Sequence, residues 1–185
     1  MNAFARTLAD DQAVIREETP QDFIARETLL DRSFGTGRWR KTCERLRENR
    51  LPAPGLAFSA VQNGVLVGTL RFWSIDAGGA DALMLGPIAI DPAQRSQGLG
   101  GKLIRLGVLR AKELGHRAVI LVGDAPYYER FGFFRAGAEA LELPGPVDLA
   151  RFLALELQPG ALAGASGPVR ATGALVPKDR RLLAA

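Results

Sequence analysis

The chain has 185 residues, 47% hydrophobic and 24% charged, with a formal charge of +4. Its length fits one domain under the prior of roughly 100–200 residues, and its apolar content excludes a disordered chain. No run approaches the roughly 18 consecutive apolar residues of a spanning helix, and Asp10 and Asp11 interrupt any signal-like segment, so no membrane partner and a cytoplasmic location are expected.

In chain order, Ala13 to Glu17 reads as a strand. Thr19-Pro20 then opens a helix running to about Phe34, with a hydroxyl at the cap and proline in the first turn. A second, basic helix is expected over Arg38 to Asn49, stopped by Leu51-Pro52-Ala53-Pro54-Gly55. Its charges interleave with Glu44 and Glu48, which describes a solvated face rather than a nucleic-acid footprint; no nucleic-acid partner is expected. Cys43 lies on this segment. One Cys and one His, His116, cannot build a structural zinc site from the usual ligands, so no metal is expected, and a Cys43–His116 nucleophile pair has little support.

Leu56 to Val61, Gln62-Asn63-Gly64 and Val65 to Ile75 form a hairpin, in which Asn-Gly supplies the positive φ angles of a tight turn. Gly78-Gly79 turns the chain into a strand over Ala82 to Ile90, where Gly86-Pro87 predicts a bulge or a break in the ladder. After Asp91-Pro92 a helix opens near Gly98, with Leu99, Leu103 and Leu106 along one face. A strand over Ala118 to Val122 precedes a short helix that Asp124 and Pro126 open and Gly132 closes. Phe152 to Leu157 reads as a closing strand. Pro159 to Ala185, rich in Gly and Ala and carrying Lys178-Asp179-Arg180-Arg181, predicts an irregular flap or loose tail.

The chemistry concentrates in Arg95-Ser96-Gln97-Gly98-Leu99-Gly100-Gly101-Lys102. Glycines where a loop meets a helix N-terminus let a ligand approach the backbone, and unpaired N–H groups with the helix dipole favour an anion such as a pyrophosphate. A tight turn with close helix packing explains the same residues. Gly101-Lys102 is followed by Leu103, which excludes a P-loop, and the spacing of Gly98, Gly100 and Gly101 is not the dinucleotide fingerprint.

Arg95-Ser96-Gln97-Gly98-Leu99-Gly100 resembles the GNAT superfamily motif Gln/Arg-x-x-Gly-x-Gly/Ala, and Tyr128, Gly132 and Phe133 resemble that family's fourth-helix signature. Gly123-Asp124-Ala125-Pro126-Tyr127-Tyr128 is closest to a bacterial subgroup of predicted N-acetyltransferases. The resemblance covers about 14–157, leaving 1–12 as an extension and 158–185 as a C-terminal segment of one domain, 1–185. It implies a GNAT fold of the mixed α/β (α+β) class: a mostly antiparallel sheet with one splayed strand pair, flanked by helices. It also implies acetyl-coenzyme A as acyl donor, cradled by Arg95 to Lys102, with its pantetheine arm along Ile88, Ala89 and Ile90. The acceptor amine is unidentified, and assembly into a homodimer is left open.

Acetyl transfer needs a neutral amine, a polarised carbonyl and a proton for the departing sulfur. The resemblance makes Tyr128 the proton donor and leaves Tyr127 to packing, since neighbours on a helix point about 100° apart and at most one should enter the cleft. The glutamate that many relatives carry before the pyrophosphate loop is missing from Ala82-Leu83-Met84-Leu85. Water, Asp76, Asp81 or Glu142 are the remaining routes for the amine proton; His116 falls at the wrong edge of the sheet. Phe34, Trp39 and Trp73 are candidates for an acceptor pocket or for core. The missing glutamate also suits an alternative, a catalytically silent coenzyme A-binding module.

Overall fold

The computed structural model describes residues 12–177; Lys178 to Arg181 and most of the N-terminal extension lie outside them. Strands β1 (Val14–Glu17), β2 (Ala57–Gln62), β3 (Val65–Ala77) and β4 (Ala80–Ile90) are successive antiparallel neighbours. β5 (Ala118–Val122) joins β4 in parallel, and after the short β6 (Leu141–Glu142), β7 (Phe152–Glu156) closes on β5 antiparallel. The order across the sheet is β1-β2-β3-β4-β5-β7. Asn63 (φ 50°) and Gly64 (φ 76°) make the primed turn that Asn-Gly encodes, and Gly78 and Gly79, also at positive φ, make the β3–β4 turn.

Side chains alternate across β4. Leu83 and Leu85 pack with Leu103, Ile104 and Ala111 of helix α2 (Leu99–Glu113). Ala82 and Met84 point the other way, onto Trp73, Phe152 and Val169. Each fully buried Leu or Met contributes about 1.5–3 kcal/mol, so the sheet is sealed on both faces. The buried face of α2 runs through Leu99, Leu103 and Ile104; Leu106, expected on it, is 37% exposed and lies outside the stripe.

Helix α1 (Phe23–Phe34) starts one turn later than Thr19 suggests, after a 3-10 turn over Pro20–Asp22. Asp22 holds this corner: its carboxylate accepts from the Thr19 amide at 2.8 Å, from Arg16 at 2.7 and 2.8 Å and from the Ser59 hydroxyl at 3.1 Å. Those donors, Arg16 foremost, hold the Asp22 carboxyl far below the usual carboxylate range against the opposing effect of burial.

Two expectations are overturned. Arg38 to Asn49 is not a helix but two 3-10 turns, Thr36–Arg40 and Thr42–Leu46. Side-chain anchors explain this: Arg38 is drawn to Asp31 (2.7 Å) and Glu27 of α1, while Thr42 Oγ1 donates to the Pro146 carbonyl at 2.6 Å and Arg45 donates to that of Pro144. The C-terminal segment, in turn, is not a loose tail where it is described. Ala161 and Leu162 are buried, and β8 (Gly167–Ala171) pairs with the far end of β3 and with β6.

Candidate active site

The sheet opens where β4 and β5 part. They share two registered pairs, Leu83–Val119 and Met84–Ile120, and none beyond. Immediately afterwards Gly86 and Pro87 together oppose the single residue Arg71, since the β3 register passes from Phe72–Leu85 to Leu70–Ile88. This is the expected bulge. Gly86 sits at φ 123°, a conformation open to glycine, its peptide to Pro87 is cis, and the Trp73 indole N–H donates to the Gly86 carbonyl. Past the bulge, Ile88, Ala89 and Ile90 stay bonded to β3 on one side while β5 has left the other.

Two cavities occupy the gap. One of about 250 Å³ is bounded by Ile88, Ala89 and Ile90, by Arg95 and Gly100, and by Tyr127. Gly98 caps α2 at φ 79°, and the first α2 bond runs from the Lys102 amide to the Gly98 carbonyl at 3.0 Å. The amides of Leu99, Gly100 and Gly101 therefore have no partner within the helix. Ser96 is also at positive φ (64°), and Gln97 braces the loop by donating to the Ala93 carbonyl at 3.2 Å. A Cβ at Gly100 would stand 3.1 Å from the Tyr127 hydroxyl. Leu99 and Gly101 are buried, whereas Lys102 is exposed.

The larger cavity, about 590 Å³, is lined by Leu85 to Ile88, by Gly123, Asp124 and Tyr128, and by the 3-10 turns after α1. Tyr128 on α3 (Ala125–Glu129) is 8% exposed, and burial pushes its phenol up to about 12, with the Tyr127 and Asp124 charges adding to it and Arg151 opposing. Its ring lies across Gly123, where a Cβ would sit 2.1 Å away. Both tyrosines thus border the gap, one per cavity, and Tyr127 also packs against Tyr128 and Phe131, with ring centroids 5.2 and 5.5 Å away.

The other assignments divide. Phe34 borders both cavities, but Trp73 is buried core and Trp39, 55% exposed, borders neither. Asp76, Asp81, Glu142 and His116 also lie away from the gap. Cys43 does line the larger cavity, where burial pushes its thiol up, rather than standing on a solvated helix face. Sequence reasoning missed Asp124 and Asp148 as cavity carboxylates; the adjoining Gly-Asp-x-x-Tyr-Tyr run was the available signal for the first. Among the described residues no three His, Cys, Asp or Glu side chains gather to hold a metal ion, and no helix is long and apolar enough to cross a membrane.

Comparison with known proteins gives the family of this architecture. The model of the acetyltransferase (GNAT) family matches residues 16–133. The chain belongs to the GNAT acetyltransferase family. It is 34% identical over 158 residues to the uncharacterized N-acetyltransferase YhbS of Escherichia coli K12, covering 84% of this chain and 94% of YhbS. The crystal structure of Escherichia coli YhbS in complex with CoA superposes with a TM-score of 0.74 at 33% identity, over 87% of this chain and 90% of that one. A GNAT family acetyltransferase from Brucella melitensis in complex with acetyl-CoA gives 0.61 at 29% identity, over 80% and 89%.

Proposed function

We propose that this GNAT protein transfers the acetyl group of acetyl-coenzyme A to a primary amine by direct attack of the amine on the thioester. The observation that carries this reading is the departure of β5 from β4 at the Gly86-Pro87 bulge, directly beside the α2 N-terminus and with Tyr128 in the same gap. The residues present fit the donor: Gly98 needs its positive φ, the amides of Leu99, Gly100 and Gly101 are unpaired in the helix, and the cavities run along β4. The complexes of YhbS with CoA and of the Brucella protein with acetyl-CoA support it.

In this reading the loop from Arg95 to Lys102 holds the pyrophosphate through backbone N–H groups, with the α2 dipole adding partial positive charge. Ile88, Ala89 and Ile90 offer their free edge to the pantetheine arm as an added strand would take it, and their amides polarise the carbonyl. Acetyl-coenzyme A supplies the activated acyl carbon and the sulfur leaving group. Tyr128 donates a hydrogen bond to that sulfur. With its phenol at about 12, it is protonated throughout the physiological range. Complete transfer to a thiolate of pKa near 8.5 is uphill by about 5 kcal/mol. Tyr128 therefore stabilises the developing charge, and the proton that finally neutralises the sulfur is the one the amine loses.

Incubation with acetyl-coenzyme A and a panel of primary amines, small molecules and peptides, tests this reading by mass spectrometry. Acetylated amine and one free coenzyme A thiol per turnover are expected. Binding of the donor with no product across the panel would favour the catalytically silent module, to which the missing strand glutamate points.

A further inference from the structure

The larger cavity carries unpaired charges of both signs. Arg38 and Arg47 reach it, but Arg38 is held by Asp31 and Glu27, and Arg47 by Glu44 at 2.6 Å. Arg40, Lys41 and Arg151 also line it, and among the described residues none of them forms an ion pair. Lys41 lies over the Phe34 ring at 4.7 Å, which steadies the ammonium group at the cavity wall. Arg151 is turned toward the tyrosine corner, its Nε donating a long bond of 3.4 Å to the Gly123 carbonyl.

Two carboxylates share the space. Asp124 has no side-chain partner among the described residues, and Asp148 accepts only from the Ala150 amide at 3.0 Å. Asp124 stands four residues before Tyr128, on the loop that opens α3, while Arg40 and Lys41 belong to the 3-10 wall that follows α1. Arg40 and Lys41 thus come from a different element from the carboxylates, whereas Arg151 closes the 3-10 turn that Asp148 caps, and no ion pair joins any of them across a cavity of about 590 Å³. An acceptor that bridges them carries both charges.

Resting on the transferase reading above, we infer that the acceptor is a small zwitterionic amine. Its ammonium end faces Asp124 and Asp148 beside Tyr128, and its carboxylate or phosphate faces Arg40 and Lys41. Asp124 holds and orients the ammonium end, and the amine reacts in the neutral form left when that group gives one proton to solvent. A second proton, lost by the nitrogen as the acetyl group arrives, goes to the departing coenzyme A sulfur, so amide and free thiol are the products.

The test compares matched acceptors at saturating acetyl-coenzyme A: γ-aminobutyrate against n-butylamine, and O-phosphoethanolamine against ethanolamine, read as coenzyme A thiol release. The anionic member of at least one pair is expected to lead by ten-fold or more in kcat/KM, about 1.4 kcal/mol of discrimination. Which pair shows the lead separates carboxylate from phosphate. The preference shrinks in high salt, because the cations are solvent-facing. In the exposed double variant Arg40→Gln/Lys41→Gln the ratio falls to about one, with acetyl-coenzyme A titration as the check that the variant is folded. Equal rates within both pairs, a lead for the neutral amines, or no acetylation of any of the four by protein that binds acetyl-coenzyme A overturns the inference and leaves the transferase reading standing. Failure to bind acetyl-coenzyme A overturns both.

Discussion

Gly123→Ala would place a methyl carbon 2.1 Å from Cε2 and 2.6 Å from Cδ2 of Tyr128. Non-bonded carbons rest about 3.5–4.0 Å apart, so the ring must retreat by roughly 1.5 Å. It has little room, being packed edge-on against Tyr127 and Phe133 with centroids 5.2 and 6.0 Å away. Overpacking of this kind costs about 1–3 kcal/mol, which for a chain of this size lowers Tm by about 2–12 °C. The catalytic consequence is larger, because a misplacement of about 1 Å is worth on the order of 100-fold in rate. Thermal denaturation reads the first effect and thiol release with an acetylated amine reads the second. A variant with wild-type Tm and wild-type kcat would refute the placement of Tyr128 across Gly123 and its role in the gap.

Other consequences concern the same machinery and its supports. Gly100→Glu puts a side chain toward the Tyr127 hydroxyl and a carboxylate before the α2 amides, so calorimetry should detect no acetyl-coenzyme A binding; unchanged affinity removes the pyrophosphate assignment. Tyr128→Phe should lower kcat about 10–1000-fold with donor affinity retained, and full activity in this variant retires the hydroxyl. Because the Tyr128 phenol is raised to about 12 in the fold, its proton stays on above the ordinary tyrosine range. The folded state binds more protons there than the unfolded one, so stability falls as pH climbs from about 10 toward 12. Ultraviolet titration that finds Tyr128 ionising at its ordinary value would contradict this. The depressed Asp22 carboxyl works in the opposite sense: its stabilisation is present above about pH 4 and lost as pH falls toward the folded value. Asp22→Asn should therefore flatten the acid limb of a stability–pH curve, and an unaltered limb would show that Asp22 contributes nothing.

What the sequence made legible is what local chemistry dictates. Asn63-Gly64 and Gly78-Gly79 demand positive φ and deliver two turns wherever the chain goes afterwards. Gly86-Pro87 cannot continue a ladder, so the bulge was readable, as were the glycine-opened α2 and the short helix ahead of Gly132. The segment after α1 was not legible, because its conformation is set by partners about a hundred residues away, Pro144 and Pro146, and by Arg38 reaching back to Asp31. Nor was β8: Gly167-Pro168-Val169-Arg170-Ala171 has weak strand propensity, and the end of β3 that β2 does not reach supplies the ladder it joins. The same long-range placement hid the acceptor side of the gap. Arg40, Lys41 and Cys43 read as one solvated helix face until the turns folded them over the cavity that Tyr128 enters.

The most direct test of the account is calorimetric titration of the protein with acetyl-coenzyme A, alongside the form lacking its 3′-phosphate. One donor bound per chain, with a matching rise in Tm, is the predicted result. No heat and no thermal stabilisation would mean that the glycine loop and the strand gap are structural features only, and would contradict the transferase reading at its root.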